Sequence, residues 1–269
     1  PRPSSPSTCR KLRAMARPDG RPPLQLRPVS LECGVVAHAE GSCLITQGRT
    51  KVLVAATLEQ KTPPFLRDTG EGWVTAEYGM LPRATLERTP REAAKGKQAG
   101  RTLEIQRLIG RALRGVADRK TFPEWTVTLD CDVLVADAGT RCAAVTGGWV
   151  ALALALETLR KRGALKKVPF REAVAAISVG VLPEPGSDSG VVALDLDYAE
   201  DSTAWVDLNV VGTSSGRYVE VQGTAEREPY DDRLLREMLS AAKKGLKRLF
   251  RAQRKALAGR VPEDWLPPA

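Results

Sequence analysis

The chain has 269 residues, 42% hydrophobic and 27% charged, which suits a folded globular protein and excludes a disordered or collagen-like chain. Its 41 Lys and Arg exceed 32 Asp and Glu, leaving a net charge of +9, which favours polyanionic partners, nucleic acid first. Five cysteines (Cys9, Cys33, Cys43, Cys131 and Cys142) form no CxxC pair and are odd in number. That excludes a disulfide framework or zinc-ribbon spacing and points to a reducing, intracellular, cytoplasmic setting.

Residues 1–16, PRPSSPSTCRKLRAMA, lack periodicity and are expected to form a disordered extension, with Met15 a candidate start. Residues 17–257 then read as a single domain and 258–269 as a tail. Strand patterns cover roughly 27–38, SCLITQG and TKVLVAATLE, the first two as a hairpin, with Gly48-Arg49-Thr50 turning into the third. His38, the only histidine, falls inside the first run and is given a structural role. KTPPFLRDTGEG reads as a loop and WVTAEYGML as a strand.

The segment LPRATLERTPREAAKGK (81–97) crowds Arg83, Arg88, Arg91, Lys95 and Lys97 between prolines and threonines, with Glu87 and Glu92 interspersed. A basic segment of this kind can contact an RNA phosphate backbone without reading sequence, or can be no more than a flexible charged loop. Its Gly96-Lys97 pair does not make a nucleotide-binding P-loop, because Gln98 follows and the first glycine is not at the required spacing. From Gly100 the pattern turns helical: Ile105, Leu108, Ile109, Ala112, Leu113 and Val116 share one face.

TVTLDCDVLVAD (126–137) alternates, with Asp130 and Asp132 on one side, and is predicted as a strand with an acidic face. AGTR (138–141) opens a long apolar helix to about Lys161, whose core run AAVTGGWVALALAL is too short for a membrane span. Strands are expected in 173–182, 191–198 and 204–224, and an amphipathic helix over 231–257. Strand groups alternate with helices, so the class is α+β or α/β-like with mixed sheets.

Two arginines share a setting that suits an anion. Arg101 follows Gly100 at one helix start, and Arg141 follows Gly139-Thr140 at another. A guanidinium fork beside free helix N–H groups matches phosphate oxygens. The acidic counterpart is LDLDYAED, with Asp195 and Asp197 expected on one side of a strand and Glu200 and Asp201 just past its end. Carboxylates clustered at a strand end can hold Mg²⁺ while substrate phosphates complete its shell. Asp130, Asp132 and Asp137 are the candidates if the chain is instead a hydrolytic metal-dependent nuclease.

Taken in order, RPDGRPPLQLRPV, GSCLITQGRTKVLVAA, PPFLRDTGEGWVTAEYGMLPRAT, REAAKGKQAGRTLEIQRLIGRALR, TLDCDVLVADAGTR, LDLDYAED, DLNVV and VEVQGTAE resemble the ribonuclease PH family, from Arg17 to about Gln253. The resemblance implies a phosphate-dependent 3′→5′ exoribonuclease that trims tRNA precursors, on an α+β fold of the ribosomal-protein-S5-domain-2-like type. It implies Arg101, Gly139, Thr140 and Arg141 as phosphate-binding, and Asp195 and Asp201 as catalytic and metal-binding. Arg83, Arg88 and Arg91 are implied as RNA-binding, inorganic phosphate as cosubstrate, and a homohexamer built as a trimer of dimers. A catalytically silent RNA-binding ring subunit of an exosome-like assembly is the alternative. The family's Gly-Gly-Thr-Arg-Thr is Ala138-Gly139-Thr140-Arg141-Cys142 in this chain. If the first of these positions needs positive φ, Ala there costs on the order of 1 kcal/mol.

Overall fold

The computed structural model describes residues 17–184 and 190–268. The expected N-terminal extension, most of the PEPGSDSG turn and Cys9 lie outside the described residues. Among the described residues, two sheets and four helices make up the fold. The first sheet has the order β1-β2-β3-β5-β4, from β1 (Val29–Cys33), β2 (Gly41–Gln47), β3 (Thr50–Glu59), β4 (Trp73–Met80) and β5 (Thr126–Val135). All its pairs are antiparallel except β4 with β5, which are parallel and joined through α1 (Gly100–Val116). The second sheet has the order β7-β6-β8-β9 and is antiparallel throughout, from β6 (Val174–Pro183), β7 (Gly190–Leu194), β8 (Val206–Thr213) and β9 (Tyr218–Ala225).

The helix α2 (Thr140–Lys161) runs between the two sheets. It is apolar on every side, the signature of a helix surrounded by protein. By length and composition alone it could cross a membrane, yet it is buried inside the core. Its small residues let the first sheet approach closely: a Cβ on Gly41 would lie 2.1 Å from the Ala151 carbonyl oxygen and 2.5 Å from the Ala155 nitrogen. Only glycine fits at that crossing. The predicted apolar face of α1 is buried as the periodicity requires. The last long helix, α4 (Asp232–Leu257), buries Met238, Ala242, Leu246, Leu249 and Leu257 and packs on β6, β1, β7 and β8.

Four differences from the sequence expectations have local causes. The first strand ends at Cys33, so His38 lies exposed in the turn between β1 and β2 rather than in a strand. The run 204–224 is two strands, broken by a turn at Ser214–Arg217 in which Gly216 takes φ +86°. The run 191–198 stops at Leu194, because Asp195 adopts φ +58° and turns the chain out of the sheet. Finally, the tail folds back as far as residue 268: Trp265 packs edge-on to Phe170 at 5.8 Å, and the Pro267 carbonyl accepts from Arg254 Nη1 at 2.7 Å.

Candidate active site

A cleft of about 600 Å³ opens where the loop after β4, the starts of α1 and α2, the middle of β6 and the first half of β8 meet. Arg101, Gly139, Thr140, Arg141 and Asp201 all line it. Segments 38 or more positions apart in the chain are thus brought to one wall, because α1 and α2 lie side by side and begin at the same end.

The positive side rests on backbone conformation. Ala138 (φ +57°) and Gly139 (φ +68°) are both left-handed and turn the chain sharply into α2. Thr50 Oγ1 donates to the Ala138 carbonyl at 2.7 Å and holds the turn. No side chain caps the start of α2, so its first N–H groups and positive dipole end are left for a ligand. The Tyr78 hydroxyl lies 2.9 Å from Thr140 Oγ1 and orients it. Arg141 Nη1 donates to Glu104 Oε1 at 3.1 Å and Gln222 Oε1 at 2.6 Å, which fixes the guanidinium while Nε and Nη2 make no such bond. Arg101 is exposed on the first turn of α1. Ser178, on β6 in the cleft, is buried with no hydrogen-bond partner for its Oγ. An orphaned hydroxyl at this position leaves a hydrogen bond free for a ligand oxygen or a water.

The acidic motif is dispersed rather than gathered. Asp195 is 1% exposed and accepts from Arg27 N at 2.7 Å, Nη2 at 2.7 Å and Nε at 3.2 Å. Its carboxylate belongs to a buried ion pair and is not among the groups lining the cleft. Asp197 caps the short helix α3 (Tyr198–Asp201), accepting from Glu200 N at 3.0 Å. Glu200 turns inward to buried Arg17, whose Nε donates to Oε1 at 2.6 Å. Asp201 alone of the four faces the cleft. Burial raises its carboxyl above the usual range, against the pull of Arg101 and Arg141.

The second acid of the site is Asp207, which the sequence reading passed over. Burial, with Asp201 beside it, pushes its carboxyl up to about 6. Asn209 Nδ2 donates to its Oδ2 at 3.2 Å, while Oδ1 is buried without a partner. A signal was present in VDLNVV: strand alternation places Asp207 and Asn209 together on one face of an otherwise apolar strand. Cys142 does not stand at the anion position. It is buried and its Sγ donates to Asn209 Oδ1 at 3.2 Å, which sets the amide so that its nitrogen meets Asp207.

A divalent cation suits this chemistry only in part of the expected set. Mg²⁺ takes one or two carboxylates and keeps water and substrate oxygens for the rest. Asp201 and Asp207, with an unsatisfied oxygen, match that requirement, whereas Asp195 has both oxygens engaged by Arg27. Among the described residues no three His, Cys, Asp or Glu side chains gather into a ready-made cage. Asp137, put forward for a hydrolytic metal site, accepts from Arg49 and from Tyr198 N, and its carbonyl accepts from Arg27. Asp130 and Asp132 lie on β5, outside the cleft.

The loop after β4 forms the rim. Thr85, Leu86 and Glu87 line the cleft, and Leu86 is 85% exposed. Arg83, Arg88 and Arg91 are solvent-exposed on the same loop and make no ion pair among the described residues. Tyr198, 56% exposed, stands at the cleft with its ring open to solvent.

Residues 25–156 match the model of the 3′ exoribonuclease family, domain 1, a stretch that contains Arg101 and Gly139 to Arg141 and stops before the acids. The fold is similar to that of Rrp46 from rice (Oryza sativa), with a TM-score of 0.70 at 20% identity over 90% of this chain and 100% of that one. The matched sequence and the mixed α+β architecture agree: residues 25–156 of this chain are a domain 1 of the RNase PH family of 3′ exoribonucleases.

Proposed function

We propose that the cleft trims RNA 3′ ends by phosphorolysis, with tRNA precursors as substrates and inorganic phosphate as the attacking group. The observation that supports this most directly is the meeting of Arg101, Arg141 and the uncapped start of α2 with Asp201 and Asp207 in one cavity. Two guanidinium groups and a helix terminus bind phosphate and hold it in line with the last phosphodiester. A phosphate oxygen attacks that phosphorus, the bond to the 3′-oxygen of the preceding nucleotide breaks, and a nucleoside diphosphate leaves. The 3′-oxygen needs a proton, and a cleft carboxyl raised to about 6, as at Asp207, is suited to donate it near neutral pH. Asp201 would hold Mg²⁺, with water and substrate oxygens completing its shell and Asp207 kept as the acid, and the ion would offset charge on the transferring group.

Around this centre, Ser178 Oγ and Arg141 steady the anion, Tyr198 offers a ring for the terminal base, and Arg83, Arg88 and Arg91 meet the backbone upstream. Phosphorolysis conserves the bond energy, so the reverse addition of nucleotides from diphosphates also runs. In this account the working form is a ring, a homohexamer arranged as a trimer of dimers, which family membership favours.

The test is a 3′-extended tRNA incubated with and without phosphate, with identification of the released mononucleotide. Nucleoside diphosphate is expected, only with phosphate, and Arg101→Ala or Arg141→Ala should lower the rate at least about 100-fold, the scale of losing a preorganised charge contact. Equal trimming in phosphate-free buffer would mean hydrolysis. Tight RNA binding without any mononucleotide release would mean the silent ring subunit, a reading to which the Glu104 contact on Arg141 lends some support because phosphate must compete with it.

A further inference from the structure

Most of the chain's charge excess sits on one helix remote from the cleft. Nine Lys and Arg stand against two acids in α4, a net of +7 out of +9. The inner face is consumed by the core, so every one of these charges is displayed on the outside or at the flanks. Lys243, Lys247, Arg251 and Lys255 follow at four-residue intervals, roughly one cation per 6 Å of helix axis. No acid occurs anywhere between them. Lys247, Arg251 and Lys255 form no ion pair among the described residues, and Lys243 lies 5.5 Å over the ring of Tyr218 on β9.

Helix stability does not account for this pattern. Like charges four residues apart repel along a helix, so the row weakens the element that carries it. A membrane surface is disfavoured too, since an interfacial helix needs its apolar face free to enter lipid, and here that face is in the core. What the row fits is a flexible chain of phosphates, with the exposed ring of Tyr218 alongside for a base.

We propose that the outer face of α4, flanked by Tyr218, is a second RNA-docking surface that holds the body of the substrate while its 3′ end is processed elsewhere. It takes the RNA from the function proposed above. α4 covers the face of the second sheet that carries Ile177, opposite the face of Ser178 and Asn209, so the ridge and the cleft do not compete for one stretch of chain.

The experiment measures binding of a fluorescent tRNA-sized hairpin by anisotropy between 50 and 300 mM salt, in phosphate-free buffer, a readout independent of phosphorolysis. The combined Lys243→Gln, Lys247→Gln, Arg251→Gln, Lys255→Gln protein should bind at least about tenfold more weakly at 100 mM salt. Its log–log salt slope should be shallower by about 3, from four phosphate contacts at roughly 0.7 to 0.9 each. A charge-matched control, Lys120→Gln, Lys161→Gln, Lys166→Gln, Lys167→Gln, should keep the wild-type slope. If the larger variant does not fold, Lys247→Gln with Arg251→Gln should take about half the slope change. Ridge variants with the control's slope overturn the proposal, as does wild-type protein that binds phosphatidylserine vesicles but not the hairpin. Failure of phosphate-dependent trimming with the slope change intact would sink the proposed reaction and leave the ridge standing.

Discussion

Replacing Asp195 with Asn separates a structural acid from a chemical one. In the folded protein Asp195 is sealed against Arg27, which is itself 5% exposed, and its backbone carbonyl accepts from Arg17 and Arg21. Removing one charge of a buried pair costs about 3–5 kcal/mol, because the partner stays buried and uncompensated. The lower end applies here: Asp137 remains 3.6 Å from Arg27 Nη1, and an Asn side chain still accepts from the Arg27 N–H. A loss of about 3 kcal/mol in a chain of this size lowers the melting temperature by roughly 6–12 °C. Calorimetry or urea denaturation at pH 7.5 reads it directly, beside nucleoside diphosphate release. An Asp195→Asn protein that melts like wild type yet cannot turn over would refute this placement and return the residue to the chemistry.

Three further outcomes test the surroundings of the site. The Asp207 carboxyl, raised to about 6 in the fold against about 3.9 unfolded, keeps more protons when folded, so its contribution is present at low pH and is lost as pH rises through 6. Asp207→Asn should therefore match wild-type stability near pH 4 and exceed it by roughly 2–3 kcal/mol at pH 8, by urea midpoints, while turnover is lost; a parallel pH dependence in both proteins counts against the buried carboxyl. Ala138→Gly relieves a left-handed alanine (φ +57°) and should stabilise by up to about 1 kcal/mol without weakening phosphate use. Gly41→Ala pushes a methyl onto the α2 backbone at Ala151 and Ala155 and should cost about 3 kcal/mol or more, visible as a lower urea midpoint.

Much of the architecture is legible in the residues because it follows from local periodicity. The faces of α1 and α4, the all-round apolar α2 and the alternation of β5 each appear in the sequence and recur as burial. Arg101 and the Gly139–Arg141 turn can be found the same way, since a helix start marks its own free N–H groups. The carboxylates are different. LDLDYAED looks like one acidic cluster, but where each acid points depends on the left-handed turn at Asp195 and on Arg17, Arg21 and Arg27, some 170 residues earlier in the chain. Those arginines draw Asp195 and Glu200 into the interior, leave Asp201 outside, and give the vacant place beside it to Asp207 from the next strand. Spacing along the chain decides which face a side chain shares with its neighbours. Which distant charge neutralises it once water is excluded is decided only when the sheets and the N-terminal segment pack together.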